Sequence, residues 1–301
     1  MNISDINHLN NLICDTNVNI ENLGLLNSNI PGTLSFIDSE KYIGDLVANR
    51  NIAAVFTTSE IAEILKDSTV FCLVDAKPRV RFFETLNLFN ISYNAHNMKE
   101  PNDIHPSAII KTEIPSNSSI VVGENSIINE CVVINPGVVI GSNCEISSFV
   151  TLGGQGFEYK NDGNKILKVV HAGRVKIGDF VDIKEFTSVH KAVFSFDETT
   201  IGSYTKIDSH SHIGHGNKVG SNCIICSHSN ISGNTVIEDK VYIGPGSNIP
   251  NRLVISNEAK VRVGSTVTKN VGAKEEVSGN FAIPHDIQIE SVKKLVERAN
   301  R

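Results

Sequence analysis

The sequence has no tryptophan, no tract of Lys and Arg, and no stretch of 18 apolar residues. Without a basic tract, and with a net charge of −6 from 33 acidic and 27 basic residues, a polyanion such as DNA is not an expected partner. Small phosphorylated ligands need only a few local donors and stay open. Without a long apolar run, no membrane span is expected. The opening MNISDINHLNNL lacks a basic start and a long apolar segment, so no signal peptide is read there. Six cysteines in 301 residues form no disulfide framework and suit reduced thiols, so the expected location is the cytoplasm.

What the chain does have is a period of six. Counting by six from Ile104 gives Ile110, Ser116, Val122, Ile128, Ile134, Ile140, Ile146 and Leu152. Counting again from Ile177 gives aliphatic residues through Ile183, Val189, Ile201 and onward to Val267, with Ser195 the exception. Four residues past the aliphatic one, small or β-branched types recur, as at Val138, Cys144, Thr205 and Ser247. Period six fits neither an α-helix nor simple alternation. It fits a mainly β chain in which each hexad contributes one short strand and one turn. Three hexads close a triangular coil, so residues 18 apart stack on adjacent coils about 4.8 Å apart. The expected architecture is a left-handed parallel β-helix over residues 101–275. Leu152 and Ile177 are 25 residues apart, not 24, so residues 153–176 must leave the prism as a loop. Long ordered loops in compact folds are usually functional.

The flanks lack this period. In residues 1–100, strands are expected at TLSFI, AAVFTT and TVFCLVD, and helices at SEKYIGDLVAN, SEIAEILKD and PRVRFFETLNLF, the last opened by Pro78. Such alternation implies a small α/β domain. Residues 276–301 form a tail in which Ile289, Val292, Val296 and Ala299 at helical spacing imply one short helix, with Asp286 as a cap near its start. That helix can pack on the prism or on a neighbouring subunit.

Of ten histidines, five lie between 190 and 228: His190, His210, His212, His215 and His228. The 18-residue rule places Asp197, His215 and Gly233 in one column. That column offers a carboxylate to fix a tautomer, an imidazole base, and a backbone N–H for an oxyanion. The alternative is two ordinary turn residues flanking a surface histidine. His210 and His228 should stack on each other. They have no third ligand two coils earlier, where Arg174 stands, so no metal is expected. Cys223 and Cys226 have CxxC spacing but fall in register with the hexads and read as packing.

LSFIDSEKY, IHPSAII, GQGFEY and HIGHGNKVG together resemble the UDP-3-O-acyl-glucosamine N-acyltransferases of lipid A assembly, over roughly residues 30–265. The resemblance implies His215 as general base and Gly233 as oxyanion donor, with an Asp also at position 197. It implies that Phe36 and Tyr42 hold the base of a nucleotide, with Ser39 where that family has Asn and Arg252 where it has a second His. VSGNFAIPH resembles the end of sugar acetyltransferases that use coenzyme A. VHKAVFSFDETTIG resembles hexapeptide acyltransferases of surface-polysaccharide clusters. Together these imply a homotrimeric N-acyltransferase that moves a short acyl group from acyl-CoA to the amine of a nucleotide-linked amino sugar. A sugar O-acetyltransferase, and the lipid A enzyme with an acyl-carrier-protein thioester, remain the alternatives.

Overall fold

The computed structural model describes residues 18, 20–279, 282 and 284–299. Its larger part is a triangular prism of three parallel sheets with eight, nine and six strands. It is a left-handed β-helix. Most strands are two residues long, and the inward member is the aliphatic one that the six-residue period picks out. Ile213, Ile231, Ile243 and Ile249 are fully buried in one continuous core. β-branched residues suit this pleated, half-buried position. The two interruptions of the period are explained locally. Ser116 lies in a bend on the third side of the first coil, and Ser195 lies in a turn; neither is in a strand. Between strands, the corner residue takes a positive φ. Asn does so readily, as at Asn143 and Asn234, but Phe149, Phe180, Phe186 and Tyr204 do so at a cost. Their rings stack in pairs, Phe149 on Phe186 at 5.0 Å and Phe180 on Tyr204 at 4.7 Å.

Register shows where the 18-residue rule holds. Val121 pairs with Val139 and Ile213 with Ile231, each 18 apart. Leu152 pairs with Val189, 37 residues on, and Val189 with Ile213, 24 on. The chain therefore leaves the prism twice. The first excursion was expected; strands Thr151–Gly154 and Arg174–Ile177 trim it at both ends, and it carries a hairpin of Tyr159–Asn161 with Ile166–Lys168. The second, after Ser188–His190 and before Glu198–Ile201, is six residues longer than a plain coil and hid inside the period because it preserves the count. Both start from adjacent strands of the same sheet, so both leave at one corner of the prism.

The smaller part is a four-stranded parallel sheet in the order β1 (Asn22–Leu23), β2 (Thr33–Phe36), β3 (Ile52–Thr57), β4 (Phe71–Val74). Helices α1 (Ile43–Ala48), α2 (Ser59–Ile64) and α3 (Pro78–Asn97) complete it. The Thr58 side chain caps α2 by accepting from the Ile61 N–H. α3 runs eight residues past Phe89, because its far end is held by polar contacts rather than by an apolar run. Asn87 donates to the Lys168 carbonyl and accepts from the Val170 N–H, and Asn94 donates to the His171 carbonyl. Buried Asn90 donates to Val170 and Val193 and so joins the two excursions. Val169 and Val193 also enter the apolar core of this domain beside Phe82, Phe83 and Phe89.

The prism continues two residues past 275, since Glu276 and Val277 pair with Lys260 and Val261. The tail helix α4 spans His285–Ala299 with Asp286 in its first turn. Its Ile289, Val292 and Val296 are exposed, so among the described residues nothing covers that face.

Asn90→Ala removes the donor shared by the two excursions. The Val170 carbonyl is then left without a partner, at a cost of about 1–3 kcal/mol, while the Val193 carbonyl keeps the Ala172 N–H. Denaturant titration is expected to show a lower midpoint, and limited proteolysis faster cutting within 155–196. A midpoint equal to that of the parent would show that the excursions are not held through α3.

Candidate active site

His215 stands at the prism corner from which both excursions leave, two coils beyond the first. It follows the strand His212–Ile213 and precedes Gly216, whose φ of +69° makes the turn. The Gly216 N–H donates to Thr199 Oγ1 at 2.8 Å, and the Asn234 N–H donates to the His215 carbonyl at 2.8 Å. These bonds fix the backbone that carries the imidazole.

The ring lies between two glycines. A Cβ on Gly233 would come within 2.5 Å of His215 Nε2, and a Cβ on Gly156 within 3.0 Å of Cδ2. The column read from the 18-residue spacing thus brings His215 and Gly233 together. Among the described residues the Gly233 N–H has no acceptor, while its carbonyl accepts from the Arg252 N–H.

Asp197 sits at the re-entry of the second excursion, and its carboxylate goes elsewhere. It accepts from Lys218 Nζ at 2.7 Å and from the Glu198 N–H at 2.8 Å. His215 Nδ1 is buried without a partner, so it is not paired with Asp197. The carboxylate that faces the ring is Glu158, carried in by the first excursion, with Oε2 3.4 Å from Nε2. Its Oε1 is bound by Lys160, whose ammonium also lies 4.3 Å from the centre of the Phe83 ring on α3. Burial opposes ionisation of Glu158, but the adjoining His215 ring, the Lys160 hydrogen bond and the Lys160 charge outweigh it and hold the carboxyl at about 2.

His171, from the same excursion, meets the edge of the His215 ring with centroids 5.2 Å apart. Its Nδ1–H donates to the Val169 carbonyl at 3.1 Å, which leaves Nε2 a buried acceptor without a donor. Burial, helped by the neighbouring His215, lowers His171 to about 4. His212, on the strand before His215, meets His190 of the preceding coil edge to face at 4.7 Å, and burial likewise lowers His190 to about 4. His212 Nδ1 shares a hydrogen bond with Ser188 Oγ. His210 and His228 do stack, at 4.9 Å, on the outer edge that carries Phe149 and Phe186. Cys223 is buried in the core, and Cys226 points its thiol at the Tyr242 hydroxyl.

The three residues assigned to a nucleotide lie in the smaller domain. Phe36 ends β2 and packs on Phe82 and Phe83 at 5.2 and 5.9 Å, with the Arg79 guanidinium 5.6 Å from its ring centre. Arg79 is held by Asp38 at 3.0 Å. The Ser39 carbonyl accepts from the Tyr42 N–H, and Lys41 lies over the Tyr42 ring at 4.6 Å. Phe36 and Tyr42 belong to separate apolar clusters of the domain.

Glu158, His171 and Gly156 escape the period because they lie in the excursion, where no register applies. The sequence signal for Gly156 and Glu158 is GQGFEY itself, a glycine-flanked motif inside an ordered loop, and it does not reach His171.

Two outcomes test this geometry. Gly233→Ala should push the imidazole aside and lower kcat at least about 10²-fold, the usual worth of a positioned base, while leaving a folded chain by circular dichroism. His171 and His190 bind protons less readily folded than unfolded. The unfolded state therefore holds more protons between about 4 and the ordinary value of 6.5, and stability falls as pH drops through that window. Denaturation midpoints from pH 7 to 4 should follow this slope, and His190→Asn should flatten it.

Residues 119–154 match the family described as Bacterial transferase hexapeptide (six repeats). The UDP-3-O-acylglucosamine N-acyltransferase 1 of Francisella tularensis subsp. holarctica (strain OSU18) is 30% identical over 215 residues, covering 60% of this chain and 60% of that protein. The UDP-3-O-acylglucosamine N-acyltransferase of Methylococcus capsulatus is 30% identical over 222 residues, covering 63% and 61%. The solved structure of Francisella novicida UDP-N-acetylglucosamine acyltransferase superposes with a TM-score of 0.53 at 25% identity, covering 60% of this chain and 63% of that one. The chain therefore spans about 60% of the length of these relatives. By repeat, fold and sequence it is a hexapeptide-repeat β-helix protein similar to the UDP-3-O-acylglucosamine N-acyltransferases.

Proposed function

We propose that the protein is an N-acyltransferase that moves a short acyl group from a coenzyme A thioester to the amine of a nucleotide-linked amino sugar, for cell-surface polysaccharide synthesis. The observation that carries this reading is the His215 imidazole laid on Gly233, with an unengaged backbone N–H beside it. The names of the relatives support N-acyl transfer to a UDP-linked sugar.

The amine nitrogen attacks the thioester carbonyl. His215 Nε2 takes the proton as the N–C bond forms. The Gly233 N–H donates to the carbonyl oxygen as it becomes an oxyanion. The C–S bond then breaks, and the leaving thiolate takes the proton back from the imidazolium. Asp197 holds Lys218 and the start of its own strand, and so supports the corner rather than the ring. Phe36, Ser39 and Tyr42 receive the nucleotide, with Arg79 beside Phe36. The working unit is a homotrimer, in which the thioester arm lies between two prisms.

His215→Ala is expected to lower kcat about 10²–10⁴-fold with KM for the nucleotide sugar little changed. Activity within a few-fold of the parent removes His215 as the base. A panel of acyl-CoA and acyl-carrier-protein donors against UDP- and dTDP-linked amino sugars, read by mass spectrometry, names the substrates. A product formed only from carrier-protein thioesters would replace coenzyme A as donor.

A further inference from the structure

We infer that Glu158 is the residue that selects an amine over a hydroxyl as acyl acceptor, by holding the ammonium form of the acceptor beside His215. The inference rests on the reading of His215 as the base.

Three observations lead to it. Glu158 Oε2 and His215 Nε2 are 3.4 Å apart, longer than a strong hydrogen bond between them. A nitrogen carrying two or three hydrogens can sit within bonding distance of both. The second observation is that Glu158 cannot swing away freely. Lys160 binds its other oxygen, and Lys160 is in turn placed over Phe83 of α3. The third is charge. His171, which meets the edge of the imidazole, is kept neutral by burial, and among the described residues Glu158 is the anion paired with the ring. Glu158 stays about one-fifth exposed while His215 is nearly covered, so an acceptor reaches the base past the carboxylate.

A sugar amine in neutral water is largely an ammonium ion. A carboxylate binds that ion with charge-assisted hydrogen bonds, roughly twice as strong as those to a neutral hydroxyl. His215 removes one proton to free the lone pair. When the N–C bond forms, the nitrogen again becomes cationic, and Glu158 stabilises it until His215 takes the second proton; bulk water receives the first. A hydroxyl acceptor has no such cationic stage and gains little from the carboxylate.

The test compares two acceptors, a UDP-linked hexosamine with a free amine and the same nucleotide sugar with a hydroxyl at that carbon. The wild-type protein should prefer the amine. In Glu158→Gln the ratio of kcat/KM for amine over hydroxyl should fall about 10–10²-fold. Glu158→Asp, which keeps the charge, should restore most of it. Calorimetric Kd values for both acceptors without donor give the same ratio where hydroxyl turnover is too slow to read. A merely structural role for Glu158 lowers both acceptors in proportion, and an unchanged ratio overturns the inference alone. A wild-type preference for the hydroxyl overturns both this inference and the N-acyl reading.

Discussion

Within each sheet of the prism every strand but the two at its ends is paired on both sides by strands of neighbouring coils, and that pairing governs all else in the molecule. With two residues per strand, there is little room for a coil to slip. A shift of one residue would turn the buried Ile and Val columns outward and bring the polar positions in. Extra chain can therefore enter only at corners, where pairing is already interrupted. Both insertions do so, and at the same corner, after Thr151–Gly154 and after Ser188–His190. The coil above them carries His215 at that corner and the next carries Gly233. The site is thus a place where a rigid column of coils meets the two segments that departed from it.

This explains which parts were legible in the sequence. From Ile201 to Ile249 the 18-residue register runs unbroken, so His215 over Gly233 and His210 over His228 followed from spacing. Asp197 lies one residue before the strand in which that register resumes. Its backbone sits near the expected column, but nothing in the period says where its carboxylate points, and Lys218 takes it. The second excursion was invisible because an insertion of six residues leaves a period of six intact. The first was visible because it leaves a remainder of one. Neither arithmetic reveals that the loop folds back, and so neither gives Glu158, His171 or Gly156. Three strands and the helices of the smaller domain were legible from their patterns, but the two-residue β1 was not, nor was the length of α3, whose far half is held largely by Asn90 and Asn94.

The two domains share the cost of ordering the excursions. A free 19-residue insertion would lose much conformational entropy on taking one shape. Here Val169 and Val193 are buried in the core of the smaller domain, and Asn87, Asn90 and Asn94 bond backbone groups of both excursions. The result is continuous from one domain to the other. Phe36 packs on Phe83, Lys160 lies over Phe83, Glu158 binds Lys160, and Glu158 faces His215. Phe36 and His215 are therefore parts of one packed unit.

Electrostatics completes that unit. Four histidines crowd this corner, and three of them, His171, His190 and His212, are pushed by burial toward the neutral form. A cluster of imidazolium ions would repel one another and any cationic acceptor. The rings instead form edge-to-face pairs, His171 on His215 and His190 on His212, which pack like aromatics. Glu158 then stands as a fixed negative charge facing the His215 ring, near three rings that burial turns toward the neutral form. Its partner Lys160 cancels part of that charge from the far side and leaves the near oxygen turned toward Nε2. Burial strengthens what remains, because field lines there pass through protein rather than water. The corner that the prism leaves open for insertions is, for the same reason, the corner where one carboxylate can dominate the local field.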